Sequence, residues 1–69
     1  MMEVSDEILT DAVAAANAAC DYEFGVRDMH NARAVLHIRE KDQDRLSRWG
    51  MYIAAYVKAA LKYSGKAQP

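Results

Sequence analysis

The residues of this sequence that are best suited to chemistry follow one line near its C-terminal end, and they are residues that bind rather than catalyse. At the helical spacing of about 100° per residue, the line contains Arg45, Trp49, Tyr52, Tyr56 and Tyr63. Trp, Tyr and Arg are the residue types enriched at the energetic centres of protein interfaces. The pattern predicts a partner-binding ridge, with Trp49, Tyr52 and Tyr56 as anchors and with Arg45 and Arg48 fixing the orientation.

The same ridge has a structural interpretation, which stays open at this point. It is displaced by roughly 90–120° from the aliphatic stripe of its helix, and a helix with two such stripes faces two interfaces. The second interface is then either the seam between two copies of the chain or the underside of the middle segment. Under either interpretation the ridge takes part in an interaction.

Residues that catalyse reactions or bind metal ions lack the spacing that those tasks need. His30 and His37 are seven residues apart, which is not the spacing of zinc ligands, and no second cysteine accompanies Cys20. Cys20 falls on an apolar arc, so we expect a buried and unreactive thiol. The sequence has no glycine-rich phosphate loop, no paired carboxylate motif and no catalytic triad. We therefore expect neither an enzyme nor a bound metal or cofactor.

The first element that must position these residues is a helix predicted over about residues 5–22. Ser5 is a good N-cap, and Asp6 and Glu7 follow in the first turn, where the helix dipole favours acids. An alanine-rich apolar arc collects Ile8, Leu9, Ala12, Val13, Ala15, Ala16, Ala19 and Cys20. The opposite side carries Asp6, Thr10, Asn17 and Asp21. An amphipathic helix of this composition lets another helix approach closely.

The middle of the chain, about residues 23–43, is open to two interpretations. In the first, Gly25 ends the first helix as a left-handed cap, and Asp28 caps a short helix that continues to Glu40. In the second, a β-hairpin pairs Tyr22 with Ile38, Phe24 with Leu36 and Val26 with Ala34. The helical propensities slightly favour the first interpretation, whereas the second would give an α-ββ-α chain.

The last element is a helix predicted over about residues 44–63. Asp42 or Asp44 is the predicted cap, and Gly65 lies just beyond the predicted end. The core stripe of this helix is Leu46, Ile53, Val57, Ala60 and Leu61. Gly50 lies on the same stripe, which predicts that another backbone crosses close by or that the helix bends. We expect residues 65–69 to be disordered.

Together these elements predict one mainly α domain over residues 1–69, in which two principal amphipathic helices form an antiparallel hairpin and the middle segment forms a short third helix. A domain of this length buries only about 60% of the surface that its unfolded chain exposes. Because the chain has a single cysteine, no intramolecular disulfide can compensate. Self-association is the remaining way to complete the core, so we expect a homodimer.

Charge is segregated along the chain, although the formal net charge is only −1. The first 24 residues contain six acids and no Lys or Arg, and residues 45–69 contain five bases and no acid. Either the two segments pack side by side, or the acidic segment faces a basic partner such as a nucleic-acid-binding domain. Because the first helix has no basic residue, we do not expect the chain itself to bind nucleic acid.

The location that the sequence favours is the cytoplasm. No signal peptide opens the sequence, and its apolar runs are too short to cross a bilayer. A lone free thiol is stable in a reducing compartment. We therefore expect no membrane partner.

The opening SDEILTDAVAAANAA and the closing segment carry a resemblance that extends across the whole chain. The closing residues concerned are Arg45, Tyr52 and the run Tyr56-Val57-Lys58-Ala59-Ala60-Leu61. The chain resembles small accessory proteins of temperate phages, among them the anti-quorum-sensing family of Mu-like phages. Many of these proteins are short, alanine-rich and helical, with an acidic start and a basic final helix.

The resemblance implies a dimeric helical inhibitor that acts in the cytoplasm of the host cell. Its partner would be the DNA-binding domain of a LuxR-type transcription regulator, whose DNA binding it blocks. A type IV pilus assembly ATPase would be a second host partner. An anti-CRISPR inhibitor and a small dimeric DNA-binding regulator are the alternative functions. The resemblance transfers no binding residue, so the ridge rests on its own spacing.

Overall fold

The computed structural model describes residues 4–23 and 28–67, the last four of these by their backbone alone. The helical elements in these ranges are α1 over Asp6–Cys20, α2 over Met29–Leu36, a 3₁₀ segment over Glu40–Arg45, and α3 over Arg48–Ala67. α1 and α3 form the main packed pair, and α2 contacts both. The prediction of a mainly α chain with a short third helix is confirmed, and the described ranges contain no strand.

The alternative β-hairpin is wrong for the residues that the structure describes. Ala34 and Leu36, two of its predicted strand residues, lie inside α2. Asp28 caps this helix as predicted, because its carboxylate accepts a hydrogen bond of 2.9 Å from the Asn31 N–H. A satisfied cap and good helix formers thus outweigh the alternation of apolar residues.

The chain after α2 differs from the predicted continuous helix to Glu40. α2 ends at Leu36, and after an extended residue at Arg39 the chain tightens into the 3₁₀ segment. Arg39 and Asp42 stabilise the first turn of this segment by a backbone hydrogen bond of 2.8 Å and an ion pair of 3.4 Å. Asp42 and Asp44, the predicted caps of the last helix, lie inside the segment, so neither of them caps α3.

α1 begins where the sequence predicts and ends earlier. Ser5 is its N-cap, because the Ser5 hydroxyl accepts a hydrogen bond of 3.2 Å from the Ile8 N–H. The helix ends at Cys20, because Asp21 adopts the left-handed conformation, with φ 57° and ψ 39°. A short polar side chain such as that of Asp tolerates this conformation. Gly25, the predicted cap, lies outside the described residues.

α3 begins later than predicted and continues further. Ser47 caps it, because its hydroxyl accepts a hydrogen bond of 3.2 Å from the Gly50 N–H. At the other end the backbone is helical to Ala67, so the predicted end before Gly65, and the predicted disorder, are wrong for residues 65–67. A glycine inside a helix costs only about 1 kcal/mol relative to alanine, and the first proline of the chain comes at residue 69.

The core lies between α1 and α3, and α2 covers it on one side. Its buried apolar residues are Leu9, Ala12, Val13, Ala16, Ala32, Trp49, Ile53 and Val57. Within the predicted stripe of α3, Ile53 and Val57 are confirmed as core residues. Leu46, Ala60 and Leu61 are only half-buried.

The buried side of α1 is rotated from the predicted arc. Ala15 and Ala19, which the arc includes, are exposed, whereas Asn17, which it excludes, is buried. Each alanine contributes only one methyl group to a core, so an alanine-rich helix defines its buried side weakly.

Gly50 marks the place where α2 packs on α3. A Cβ atom added at this position would lie 3.4 Å from side-chain atoms of both Val35 and Leu46. The nearest neighbours of Gly50 are therefore side chains, not the crossing backbone that the sequence suggested.

Candidate partner-binding surface

Trp49, the first anchor of the predicted ridge, lies in the core. Its side chain is only 2% exposed and packs among the buried residues between α1 and α3. Its indole Nε1–H donates a hydrogen bond of 2.7 Å to Asn17 Oδ1. An indole in this position cannot touch a second protein, so a direct contact by Trp49 does not fit the structure. It holds the start of α3 against the end of α1, which is where an antiparallel pair of helices would bring the two together.

Asn17 is a buried neighbour of Trp49, although the sequence pattern placed it on the polar side of its helix. It is 6% exposed, and it lies four residues after Val13 and eight after Leu9, both of which are buried. That spacing indicates a core position, which the polarity of the side chain concealed. Its Nδ2 is buried without a hydrogen-bond partner, and such an orphaned group costs about 1–3 kcal/mol. The hydrogen bond from Trp49 to the amide oxygen offsets part of this cost.

The tyrosines of the ridge remain at the surface. Tyr52 and Tyr56 are 40% and 39% exposed, and Tyr63 is 73% exposed. They follow one line of α3, because residues four or seven apart lie on the same side of a helix. We refer to Tyr52, Tyr56 and Tyr63, together with the exposed Arg48, as the tyrosine surface.

The two arginines of the predicted ridge are placed differently. Arg48 is exposed in the first turn of α3. Arg45 is also exposed, but it ends the 3₁₀ segment, and the extended Leu46 separates it from α3. The structure thus brings Arg48 and the tyrosines together on one helix and leaves Arg45 at the margin of the surface.

The outward sides of α3 and α1 carry opposite charge. On α3 the exposed charged side chains are Arg48, Lys58 and Lys62, and this part of the sequence contains no acid. On α1 the exposed charged side chains include Glu7 and Asp11, and the helix contains no base. Each helix therefore presents a side of single sign to the solvent.

Direct ion pairs do not join these two charge sets in the described part of the chain. The ion pairs found there link Asp6 with Arg33 and Arg39 with Asp42. Arg33 also donates a hydrogen bond of 3.2 Å to the Val4 carbonyl and so ties the start of α1 to α2. Side-by-side packing of the acidic and basic segments is confirmed, but apolar contact and the Trp49 hydrogen bond hold α1 and α3 together.

An open groove of about 530 Å³ lies on another side of α3, beside the 3₁₀ segment. Ile38, Met51, Ala54 and Ala55 form its apolar lining, and Glu40 and Lys58 contribute charges. Met51 is 55% exposed and lies roughly 100° around α3 from Tyr52. The groove is therefore separate from the tyrosine surface.

Two other kinds of site find no support in the described ranges. No group of three or more His, Cys, Asp or Glu side chains is placed to hold a metal ion among these residues. No helix there has the length and apolarity that crossing a membrane requires. Cys20 is a half-buried free thiol, more accessible than the buried one that the sequence predicted.

Comparison with known proteins finds no relative of this chain. No protein-family model, no curated protein and no solved structure matches it.

Proposed function

We propose that this chain binds another protein through the tyrosine surface and inhibits that target by covering part of it. The observation that carries the proposal is the exposure of Tyr52 and Tyr56, at 40% and 39%. Both residues are on a helix whose other side, at Ile53 and Val57, is buried in the core. The helix thus holds two large rings in fixed places at the surface.

Rings held in this way are well suited to binding. Tyr52 and Tyr56 still expose about two fifths of their surface, which a target could cover, and the few rotatable bonds of a tyrosine keep the loss of conformational entropy small. The exposed guanidinium of Arg48 adds charge, which selects the orientation of a target. Exposed tyrosines beside an arginine have the composition of an interface hot spot.

The target that we propose is the DNA-binding domain of a LuxR-type transcription regulator in the cytoplasm of a bacterial host. The resemblance to temperate-phage accessory proteins supports this choice, and so does the acidic outward side of α1. Glu7 and Asp11 are exposed there and would attract the basic surface with which such a domain contacts DNA. The tyrosine surface would supply the apolar part of the contact. The type IV pilus ATPase rests on the resemblance alone.

The test is a titration of a purified LuxR-type DNA-binding domain with the wild-type chain and two variants. The first variant combines Tyr52→Ala with Tyr56→Ala, and the second, Met51→Ala, removes an exposed side chain from another side of the same helix. We expect the double variant to bind at least about 30-fold more weakly, because a hot-spot residue contributes about 2 kcal/mol or more. Met51→Ala should bind like the wild type. Equal binding by all three proteins would refute the tyrosine surface, and no binding by the wild type would refute the target.

A second candidate, a small DNA-binding regulator, is favoured by the basic outward side of α3. Arg48, Lys58 and Lys62 are exposed there without any acid. A gel shift with duplex DNA at low salt decides the matter: a retarded band that weakens steeply with added salt supports the regulator. If the DNA is not retarded, the DNA-binding regulator is excluded and the protein-binding inhibitor remains. An anti-CRISPR inhibitor would use the same tyrosine surface, so titrating the same variants against a CRISPR effector complex tests it.

A further inference from the structure

The wall that α3 gives to the groove beside the 3₁₀ segment has a regular spacing. Its residues are Met51, Ala54, Ala55 and Lys58, which stand at positions i, i+3, i+4 and i+7 of the helix. Four residues with this spacing form the hole into which a facing helix inserts one large side chain. The spacing therefore indicates that this side of α3 can receive a side chain of another helix.

The hole is empty at its centre. Ala54 and Ala55 are its two central residues, and each of them contributes only one methyl group. Met51 and Lys58 bound the hole at its two ends, about 10 Å apart along the helix axis. Met51 is 55% exposed, and the groove of about 530 Å³ lies over these residues. The described part of the chain therefore leaves the hole open to solvent.

The opposite wall of the groove comes from the 3₁₀ segment and from the chain just before it. Glu40 and Gln43 of this segment are exposed, and Ile38 adds a half-buried apolar side chain. No residue of the 3₁₀ segment is buried. The segment therefore borders the groove without filling it, and the space between the two walls is free for a ligand.

Charges of opposite sign stand on the two walls. Lys58 is exposed on α3, and Glu40 is exposed on the 3₁₀ segment. Neither of them makes an ion pair within the described part of the chain. A helix that lay between the walls would meet the ammonium group with one flank and the carboxylate with the other. An acid on the first flank and a base on the second would complement both walls.

We propose that this groove binds an amphipathic helix of a partner protein. A large apolar side chain of that helix, such as leucine or phenylalanine, inserts over the two alanines between Met51 and Lys58. An acid of the helix faces Lys58, and a base faces Glu40. Binding of a peptide as an added strand needs an exposed sheet edge, and the described ranges contain no strand. The groove is separate from the tyrosine surface, so the proposal does not rest on the proposed function.

The experiment measures the binding of a labelled synthetic helical peptide by fluorescence anisotropy. Its apolar side carries leucines at positions i, i+3 and i+7, and glutamates and lysines occupy its two flanks. A control peptide has alanines in place of the leucines. We expect the control to bind at least about tenfold more weakly, because only a large apolar side chain fills the hole. If the wild type does not bind the leucine peptide, or binds both peptides equally, the proposal is overturned.

Two matched substitutions on α3 decide whether the peptide occupies the hole. Ala55→Leu fills the hole from within, whereas Ala59→Leu adds the same side chain at an exposed position outside the groove. Leucine is a good helix former, so both variants should keep the helicity of the wild type. We expect Ala55→Leu to weaken the leucine peptide at least about tenfold and Ala59→Leu to leave its binding unchanged. An equal effect of the two substitutions contradicts the proposal.

Lys58→Glu and Lys62→Glu test the charge on the α3 wall. Both lysines are exposed on α3, and both substitutions change the net charge equally, but only Lys58 borders the groove. Lys58→Glu should weaken the leucine peptide about threefold at low salt, because it sets like charge against the acidic flank. Lys62→Glu should change the binding little. An equal loss would show that the peptide responds to net charge alone, against the proposal.

A second copy of the chain is another occupant that the same variants detect. Sedimentation equilibrium without peptide should show the same self-association, whether present or absent, for Ala55→Leu and the wild type. If Ala55→Leu abolishes a self-association that the wild type shows, the groove is the contact between copies, and the partner helix is refuted.

The proposed function is read separately with the tyrosine variant. Tyr52→Ala with Tyr56→Ala should bind the leucine peptide like the wild type, and Ala55→Leu should bind the LuxR-type domain like the wild type. If the peptide follows the predictions while the tyrosine variant keeps the domain, the proposed function fails and the groove stands. If the tyrosine variant loses the domain while Ala55→Leu keeps the peptide, the groove fails and the function stands.

Discussion

Trp49 and Tyr52 lie three residues apart on one line of α3, yet the first is 2% exposed and the second 40%. The line runs along the edge of the buried side of α3, where a small difference in angle around the helix axis separates a core residue from a surface residue. Trp49 donates a hydrogen bond to the side-chain oxygen of Asn17 in the core, whereas the Tyr52 side chain remains partly exposed to solvent. Residue type therefore marks a region of interaction but does not distinguish contact within the chain from contact with another molecule.

Replacing Trp49 should destabilise the protein more than any other single substitution considered for α3. Trp49→Ala should lower the free energy of unfolding by about 3–5 kcal/mol, since it empties the core and orphans the Asn17 oxygen. A domain of this size has little more stability than that, so helicity by circular dichroism should fall sharply. A variant that stays helical with a wild-type urea midpoint would place Trp49 outside the core.

The hydrogen bond between Asn17 and Trp49 carries a smaller effect. Trp49→Phe keeps an aromatic ring but removes the donor, so it should cost about 1–3 kcal/mol in urea unfolding. Asn17→Ala leaves the indole N–H without a partner but also removes the orphaned Nδ2, so it should cost less than Trp49→Phe. Because the two side chains share one bond, the double variant should lose less than the sum of the single losses. Strict additivity would show that the bond contributes nothing to stability.

Gly50→Ala tests the opposite side of α3 and should stabilise the protein. Alanine gains up to about 1 kcal/mol of helix propensity over glycine, and the added Cβ meets Val35 and Leu46 at 3.4 Å, an ordinary contact distance. Thermal unfolding should show a higher midpoint. A lower midpoint would mean that α2 packs too rigidly on α3 to accept one methyl group.

Tyr52→Ala should have the smallest effect on stability, within about 1 kcal/mol, because a half-exposed ring is lost while helix propensity is gained. Urea unfolding of Tyr52→Ala and Trp49→Ala, measured side by side, separates the contribution of the surface ring from that of the core ring. A loss as large as that of Trp49→Ala would make the tyrosine part of the core of the single chain.

Local signals in the sequence predict the helices well and their ends unevenly. Ser5 and Asp28 are confirmed as caps because an N-cap depends on a side chain and a backbone N–H three residues away. Asp44 and Gly65 are equally typical of helix ends. However, Asp44 lies inside the 3₁₀ segment, and α3 continues through Gly65. Which of several competent residues ends a helix depends on tertiary packing, which local spacing does not contain.

The sequence predicts which residues belong to the candidate site, but it does not predict which of them lie in the core and which at the surface. The spacing of Tyr52, Tyr56 and Arg48 places them on one exposed side of α3, as expected. The burial of Trp49 depends on Asn17, 32 residues earlier in the chain. A polar residue becomes a core residue only when a buried donor faces it, and no periodicity in either helix reveals such a pair.

The enclosed indole of Trp49 also gives the protein a built-in optical probe. It is the one tryptophan of the chain, and an indole in apolar surroundings emits at shorter wavelength than one in water. Its emission should therefore shift to the red as α3 separates from α1. Events confined to the exposed tyrosines would leave that emission wavelength nearly unchanged. Folding and surface recognition thus carry distinct spectral signatures in the unlabelled chain.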